Sequence, residues 1–424
     1  MFKKTTLKNG LRIITVPMEN SQAVTVFVLV GTGSKYEKKE TSGISHFLEH
    51  MYFKGTKKRP NNMAIAETLD KVGGVYNAFT GEELTCYFAK VAANQLEIAL
   101  DWVSDIYLNS FLPPKEIEKE RKVIIEELNM YYDTPMIYIG ELWKTLLYGD
   151  QPAGWDIGGT KESVSKITRQ QILNYMNSQY VASNTVVCIA GKISEAAIIN
   201  EVKNYFSKIK LTKPYSKAAV IEEQKKPKVL LQFKKTDQTH LALGVRTRYN
   251  LFHPQKYPTE LLGVILGGMM SSRLFDEVRN KLGLAYYVRT EAEFDTDTGY
   301  LVSFAGVDNS RVEKAVSTIL KEYQKISQTK VPEEELKKAK DNLKGKLVLS
   351  LEASDAQASF YGVQELLEKK ILTPEKIISI VDKITTNDIL KAAKDIFRPE
   401  KLNLALIGSF EDKSKFERLL TLKP

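Results

Sequence analysis

Short apolar runs and amphipathic stretches follow one another along the whole chain, and their spacing predicts a mixture of strands and helices. Two of the strands are predicted to form a hairpin around Gly81. This mixed order indicates an α+β fold. Predicted strands in the first half cover residues 11–16, 23–30, 75–79, 84–91 and 185–190, and predicted helices cover 62–72, 96–108, 114–132 and 195–209, with a further helix around residue 46 and helical patterns up to about residue 180.

The second half of the chain repeats the pattern of the first. FAKV at 88–91 recurs as FAGV at 304–307, PKEI at 114–117 as PEEE at 332–335, and VCIAG at 187–191 as LALIG at 404–408. The separation along the chain is nearly the same for all three pairs, and such constancy indicates an internal duplication.

The duplication predicts two similar tandem domains, each a mixed, mostly antiparallel β-sheet packed with helices. We expect them at residues 1–209 and 229–424. The segment 210–228 contains two prolines and many lysines, which makes it the predicted linker.

Composition agrees with a two-domain protein and excludes several classes. The chain has 424 residues with 43% hydrophobic and 27% charged residues, which is typical of globular proteins too long for one core. The net charge of +9 comes from scattered lysines, so we expect no nucleic-acid binding. Cys86 and Cys188 lie in strand-like runs and are predicted to be small buried hydrophobes.

No stretch reaches the ~18 apolar residues of a membrane span. The two N-terminal lysines are not followed by the apolar segment of a secretion signal. We therefore expect no membrane partner and, if the chain begins at its natural start, a cytoplasmic location.

Two of the four histidines, His46 and His50, stand four positions apart with Glu49 between them. On a helix these three side chains share one face. Two imidazoles can bind a catalytic zinc ion, and a nearby carboxylate can accept a proton from water. We expect Thr41 or Ser42 to cap the start of this helix and Gly55 to lie at its end. The alternative is a pair of structural histidines over the apolar residues Phe47, Leu48 and Met51.

A zinc site of this kind needs a third protein ligand, and the predicted helix after Pro113 and Pro114 offers one. Glu120 and Glu127 are two helical turns apart, hence on one face, and can supply one ligand and one carboxylate behind a ligand. Glu126 is the rival ligand. The alternative for the whole segment is a solvated, charged helix.

The motif H-x-x-E-H at 46–50, followed further along the chain by Glu127, resembles the inverzincin signature of the pitrilysin and mitochondrial processing peptidase family of zinc peptidases. The likeness is to a short bacterial- or archaeal-type member. It extends to GIS at 43–45, FKGT at 53–56, GGVYNAFT at 73–80 and Glu120-Arg121.

The resemblance implies a role for each of these residues. His46, His50 and Glu127 would be the zinc ligands, Glu49 the general base, and Glu120 a partner behind a ligand. In the second half, Lys338 and Gly345 stand at the positions of Glu120 and Glu127, and residues 261–267 contain no histidine. We therefore expect one Zn²⁺ per chain. His240 and His253 are interpreted as ordinary histidines.

The second half keeps a different feature. Arg279 and, a short distance later, Tyr286 resemble the C-terminal signature of the family. The resemblance implies that Arg279 binds the substrate backbone and that Tyr286 donates a hydrogen bond to the oxyanion. The alternatives are a surface salt bridge for the arginine and a core aromatic for the tyrosine.

The strand at 75–80 is a candidate edge for β-augmentation by an extended peptide, and the resemblance implies substrate-backbone contacts at Asn77 and Ala78. The expected function is that of a zinc metalloendopeptidase acting on unfolded peptides in a closed dimer chamber. The closed chamber is what the resemblance implies, since short members of that family act as dimers that close around peptides. Because both motifs lie in this one chain, the resemblance implies a homodimer. The rival functions are a partner-dependent processing peptidase subunit and a non-catalytic structural subunit of the same family. Residues 151–159 match the family's turn only in part, which leaves side-chain preference open.

Overall fold

The structure, a computed structural model, describes residues 2–422, and its strands form two sheets. The central strands are continuous apolar runs because both of their faces are covered, as in β6, where every residue is buried. The strands are β1 (Lys3–Thr6), β2 (Arg12–Pro17), β3 (Ala23–Val30), β4 (Val75–Thr80), β5 (Thr85–Ala92), β6 (Thr185–Gly191), β7 (Lys228–Phe233), β8 (Gln238–Thr247), β9 (Ala285–Phe294), β10 (Gly299–Asp308) and β11 (Leu402–Gly408).

The two sheets have the same strand order. The first runs β1-β2-β6-β3-β5-β4 and the second β7-β11-β8-β10-β9, so that within the described chain only β1 has no counterpart in the second sheet. In each sheet one pair is parallel, β2 with β6 and β7 with β11, and the other pairs are antiparallel. The predicted α+β class, with two similar and mostly antiparallel sheets, is confirmed.

Helices connect and cover the strands. Two further segments, Phe275–Lys281 and Gln364–Glu368, are π-helical. The α-helices are α1 (Ile44–Met51), α2 (Asn62–Asp70), α3 (Leu96–Asn109), α4 (Pro114–Asp133), α5 (Pro135–Tyr148), α6 (Lys161–Lys166), α7 (Arg169–Gln179), α8 (Glu195–Phe206), α9 (Lys256–Gly267), α10 (Val312–Gln328), α11 (Glu333–Ser350), α12 (Ser354–Val363), α13 (Pro374–Asp382), α14 (Thr386–Ile396) and α15 (Ser414–Leu419).

The compact units of the chain differ from the contiguous halves 1–209 and 229–424 that we expected. Each unit gathers three segments. The helix α5 of the first half belongs to the second unit, and α12 of the second half belongs to the first unit. The first unit contains Met1–Asn129, Trp155–Ala218 and Val348–Ile371, and the second contains Met130–Gly154, Ala219–Leu347 and Leu372–Pro424.

The first unit has a helical layer on each face of its sheet. On one face, α1, α3 and α8 pack on alternate side chains of the strands, for example Trp102 of α3 and Val26 of β3 in one apolar cluster. On the other face, Ala358 and Tyr361 of α12 pack in a cluster with Leu29 and Cys188. The approach is close, since a Cβ on Gly362 would lie 2.7 Å from the Leu29 side chain.

The second unit repeats these layers with its own residues. Helices α9, α10 and α14 cover one face of its sheet, with side chains such as Leu262 and Ile319 in the cluster. The other face is covered by α5, whose Trp143 and Leu146 pack with Ala242 and Phe304. Thus α5, from the first half of the sequence, covers the second sheet, and its equivalent α12, from the second half, covers the first sheet.

The predicted linker, residues 210–228, has no regular secondary structure except at Lys228, where β7 begins. Between α8 and β7 the residues 207–227 form no helix or strand. Both cysteines are buried and free, as expected from their apolar surroundings. Among residues 2–422, no helix is both long and apolar enough to cross a membrane.

Candidate metal centre

The helix α1 carries His46, Glu49 and His50, and its start differs from our prediction. Neither Thr41 nor Ser42 is the N-cap; Gly43 takes that position with a left-handed φ of 91° and no capping side chain. Instead, the buried carboxyl group of Glu37 accepts hydrogen bonds from the backbone N–H of Gly43 at 2.7 Å and of Ser45 at 2.8 Å. The N-cap residue itself has no side chain to accept from the first N–H groups of the helix. The carboxyl group of Glu37, which lies upstream in the chain, accepts from them instead.

A glycine-rich loop presses against this helix start. A Cβ on Gly43 would lie 2.5 Å from the Gly158 oxygen, and a Cβ on Gly159, at φ 78°, would collide with the Ser42 oxygen. Backbone approaches backbone here at a distance that only glycine permits. The segment 151–159, which matches the family's turn only in part, thus fixes the position of the motif helix.

His46, His50 and Glu127 come together at one point. The Nε2 atoms of the two histidines are 3.2 Å apart. Glu127 Oε2, from α4, lies 3.6 Å from His46 Nε2 and 3.4 Å from His50 Nε2. The rival Glu126 is exposed and its carboxylate accepts a hydrogen bond from Asn129 at 3.4 Å. The geometry therefore places Glu127, and not Glu126, beside the two histidines. We use the name metal centre for this candidate site of His46, His50 and Glu127.

These three distances fit a zinc ion. Ligands at about 2.0–2.2 Å in tetrahedral geometry are separated by about 3.3–3.6 Å from one another. The observed separations of 3.2, 3.4 and 3.6 Å agree with that spacing. Two imidazoles and one carboxylate are also the donor set of catalytic zinc sites that keep one position for water.

Glu120 lies behind His50 and is hydrogen-bonded to it. Its Oε1 accepts the His50 Nδ1 hydrogen at 2.8 Å, which leaves Nε2 to face the metal centre. Its Oε2 accepts from Lys54 Nζ at 2.6 Å. Burial raises the pKa of Glu120, but the hydrogen bonds from His50 and Lys54 outweigh burial and lower the pKa.

The two histidines differ in proton affinity. Burial, together with the charge of His50, lowers the pKa of His46 to about 4. Burial also lowers the pKa of His50, but the hydrogen bonds and charges of Glu120 and Glu127 outweigh it and raise this pKa to about 9. The raised pKa favours the cationic form of His50 in the metal-free protein, and the proton on its Nε2 would have to leave when zinc binds.

Glu49 lies beside the metal centre and is held by a residue of β4. Thr80 Oγ1 donates a hydrogen bond to Glu49 Oε2 at 2.5 Å. Burial raises the pKa of Glu49, while the Thr80 hydrogen bond and the charge of His50 act in the opposite direction and leave a net rise. A carboxylate with a raised pKa is suited to take up a proton near neutral pH.

Asn77 and Ala78 lie on β4, which is one of the two edge strands of the first sheet. The Asn77 Oδ1 accepts the Ala78 N–H at 2.9 Å. A peptide that bonded to this N–H would take the place of the asparagine side chain. Because the same strand supplies Thr80, a peptide on this edge would lie next to the strand that holds Glu49.

Arg279 and Tyr286 meet within the second unit. Arg279 lies in the π-helical segment, and its guanidinium carbon is 5.7 Å from the centre of the Tyr286 ring and 4.8 Å from that of Phe275. Tyr286 is 75% exposed, which rules out a core aromatic. Within residues 2–422 no carboxylate forms a salt bridge with Arg279, so the surface-pair alternative is not supported either.

Comparison with known proteins decides the family. Residues 12–160 match the family model described as insulinase (peptidase family M16), and residues 166–343 match the model of the peptidase M16 inactive domain. The chain belongs to peptidase family M16. The pitrilysin-type family expected from the motif is thereby confirmed.

Several M16 relatives are similar over nearly their whole length. An uncharacterized zinc protease of Bacillus subtilis, YmxG, is 35% identical over 409 residues, which are 96% of this chain and 98% of that protein. An uncharacterized zinc protease of Mycobacterium leprae is 33% identical over 423 residues, 99% of this chain and 94% of that protein. Their names support a peptidase role and zinc as the metal.

Solved structures share the M16 fold. A protease from Helicobacter pylori aligns with a TM-score of 0.87 at 23% identity, over 96% of this chain and 99% of that chain. A chain of complex III from Candida albicans aligns with a TM-score of 0.85 at 18% identity, over 99% of both chains. At such identities the likeness shows the fold alone.

Proposed function

We propose that this M16 chain is a zinc metalloendopeptidase that hydrolyses unfolded peptides, with Glu49 as general base. The observation that carries the proposal is the convergence of His46, His50 and Glu127 at zinc-ligand spacing. One Zn²⁺ per chain follows, since the second half has no histidine where α1 has two.

His46, His50 and Glu127 would hold the zinc ion, which would supply Lewis acidity to polarise the scissile carbonyl and to lower the pKa of water to about 7. Glu49 does the proton transfer. Thr80 holds its Oε2, so Oε1 accepts the proton of the attacking water and then passes it to the leaving amine nitrogen. Glu120 and Lys54 keep His50 oriented throughout.

The substrate would bind as an added strand along the free edge of β4, with Asn77 and Ala78 contacting its backbone. Backbone hydrogen bonds accept many sequences but require an extended chain. We therefore expect cleavage of unstructured peptides and resistance of folded proteins.

A homodimer is part of the proposal. In the family that this chain resembles, the arginine and tyrosine of one subunit reach the zinc site of the opposite subunit, and the dimer closes around the peptide. Arg279 would bind the substrate backbone, and the exposed Tyr286 hydroxyl would donate to the oxyanion.

A non-catalytic structural role is the rival, and one observation favours it: the match of residues 166–343 to a domain described as inactive. Against it stands the complete set of metal-centre residues with Glu49. A partner-dependent processing subunit is the other alternative.

The decisive test is cleavage of a long, unstructured, internally quenched peptide by zinc-loaded wild type and by Glu49→Gln. We expect the variant to keep its zinc and to lose about 10²- to 10⁴-fold in kcat. Glu126→Gln is the matched control, because this exposed neighbour should leave both zinc and rate unchanged.

Equal cleavage by wild type and Glu49→Gln would contradict the role of Glu49. No cleavage by either would move the partner-dependent or structural function ahead of the peptidase.

The dimer is tested by complementation. Glu49→Gln and Tyr286→Phe chains are prepared separately, both inactive, and mixed. If the tyrosine acts on the opposite subunit, mixed dimers contain one intact site and activity returns. A mixture that stays inactive, or a monomer in sedimentation at micromolar concentration with full activity, would contradict the shared site.

A further inference from the structure

The second unit contains a groove of about 730 Å³ beside the C-terminal end of α9. Its floor is the turn after that helix, including Gly268 and Ser271, and one wall is α11 with Lys338, Asn342 and Lys346. Met270, 75% exposed, lies at its rim. We call this the lysine groove.

The lysine groove stands where the duplicated half would carry its own metal centre. In the register that aligns PKEI at 114–117 with PEEE at 332–335, Lys338 corresponds to Glu120 of α4. In the register that aligns VCIAG at 187–191 with LALIG at 404–408, Ser271 corresponds to Lys54. The residues at these positions are also in contact in both halves. Glu120 accepts from Lys54 Nζ at 2.6 Å, and Lys338 Nζ donates to the backbone carbonyl oxygen of Ser271 at 3.0 Å.

The charge at the position of Glu120 is reversed in the second half, where Lys338 stands. Lys346 follows directly after Gly345, which stands at the position of Glu127. The first half directs two glutamates of α4 toward α1, whereas the second half directs two lysines of α11 toward the turn. Lys346 Nζ donates to the Gly268 oxygen at 2.9 Å. Among residues 2–422 the ammonium groups of Lys338 and Lys346 form no salt bridge with a carboxylate.

Two acidic residues of α11, Glu335 and Asp341, are bound by cations other than Lys338 and Lys346. Glu335 is bound by Arg273 at 2.6 Å. Asp341 pairs with Lys337 at 2.6 Å and with Lys344 at 3.2 Å, on the other side of α11. Neither of these two carboxylates therefore compensates the charge of Lys338 or Lys346.

Asn342 lies between the two lysines, one turn from each, and its Oδ1 is buried without a hydrogen-bond partner among residues 2–422. The side-chain amide can turn to present Nδ2 as a third donor. Three donors on one helical face, with exposed Met270 as apolar surface, suit a carboxylate on a flexible chain better than a bare metal cation.

We propose that the lysine groove binds a carboxylate of the peptide substrate, either an Asp or Glu side chain or the C-terminus. The proposal rests on the peptidase function and specifies its substrate class. The degenerate copy of the metal centre would thus have become a selectivity site for acidic peptides, since Lys338 and Lys346 can each donate to a carboxylate oxygen.

Binding is measured without hydrolysis, by fluorescence anisotropy of labelled peptides on the metal-free protein. Three versions of one unstructured peptide are compared: internal Asp with an amidated end, internal Asn with a free carboxylate end, and internal Asn with an amidated end. We expect one or both acidic versions to bind about three- to tenfold more tightly than the neutral one at low salt.

The variant Lys338→Gln/Lys346→Gln should lose this preference, and Lys338→Glu/Lys346→Glu should reverse it in favour of a lysine-containing peptide. Both side chains are exposed, so the fold should be retained. Lys337→Gln, on the same helix but paired with Asp341, is the control and should keep the wild-type preference.

The two carboxylate sources are separated by which acidic peptide carries the preference. A preference that persists in Lys338→Gln/Lys346→Gln, a loss as large in Lys337→Gln, or no preference in wild type would overturn the proposal. A wild type that prefers acidic peptides but cleaves none would instead refute the peptidase function and leave the groove intact.

Discussion

At the scale of single residues, the candidate metal centre combines side chains that helical periodicity predicts to lie on shared faces with supporting side chains that it does not predict. His46 and His50 could be predicted because their spacing places them on one helical face. The same rule placed Glu120 and Glu127 on one face, but only the family resemblance assigned Glu127 as the ligand. Lys54 and Thr80 become partners of Glu120 and Glu49 only through tertiary packing. A family resemblance marked Lys54 as part of a motif but gave it no role.

Lys54→Met should weaken zinc binding by about tenfold or more, because Glu120 loses the cation that fixes it behind His50. Competition with a chromogenic chelator measures the affinity. Lys57→Met, exposed in the same segment, serves as control. If both variants bind zinc as wild type does, the Lys54–Glu120 contact does not support the metal centre.

Thr80→Val should raise the pKa of Glu49 further, because the hydrogen bond that lowers it is lost. A base of higher pKa stays protonated to higher pH, so the acidic limb of the kcat/KM profile should move upward and the rate at neutral pH should fall about tenfold. Thr80→Ser retains the hydroxyl and should restore the wild-type profile. A valine profile that superimposes on wild type would argue against the contact.

At the scale of elements, the start of α1 shows why local capping rules were insufficient. Thr41 and Ser42 have the side chains of N-caps, yet the helix begins after Gly43 and uses the more distant Glu37. The close approach of Gly158 and Gly159 determines this start, and a sequence pattern does not reveal which loop will pack there.

Glu37 should make the stability of the metal-free protein depend on pH. Burial raises the pKa of this carboxyl from 4.5 to about 8, so the folded chain retains a proton that the unfolded chain releases. The resulting stabilisation is complete below about pH 4.5 and is lost as the pH rises through about 8.

Glu37→Gln removes this titration while keeping the shape of the protonated acid. The difference in free energy of unfolding between wild type and variant, from urea titrations, should therefore change across that pH range, with the stability of wild type falling relative to the variant as the pH rises. Glu40→Gln, exposed in the same loop, should show a constant difference. A constant difference for Glu37→Gln would mean that the carboxyl is ionised throughout.

At the scale of the whole molecule, the internal repeat predicted the two matching sheets but not which helices cover them. Hydrophobic periodicity shows that α5 and α12 each have an apolar face. Trp143 of α5 and Tyr361 of α12 lie on these faces and are buried. It carries no information on which sheet receives that face. The contiguous domains expected from the sequence therefore missed the exchange of these two helices.

Residues 1–218 expressed alone should be insoluble, because the sheet face around Leu29 and Cys188 loses its cover of α12. Co-expression with residues 219–424 as a separate chain should restore soluble protein that binds zinc. Soluble yield and zinc content of the purified pair measure this outcome. A soluble, cooperatively unfolding 1–218 fragment would show that the exchanged helix is dispensable.

The exchange of α5 and α12 also bears on how such a chain arose. A half-length ancestor with one sheet would have left one apolar face open unless a second copy of itself donated the missing helix, which is the arrangement of a domain-swapped dimer. Gene duplication and fusion would have made that reciprocal exchange internal. Once both helices were supplied in cis, the two copies could diverge in their side chains without loss of the partnership. The second half now has Lys338 and Gly345 where the first has Glu120 and Glu127.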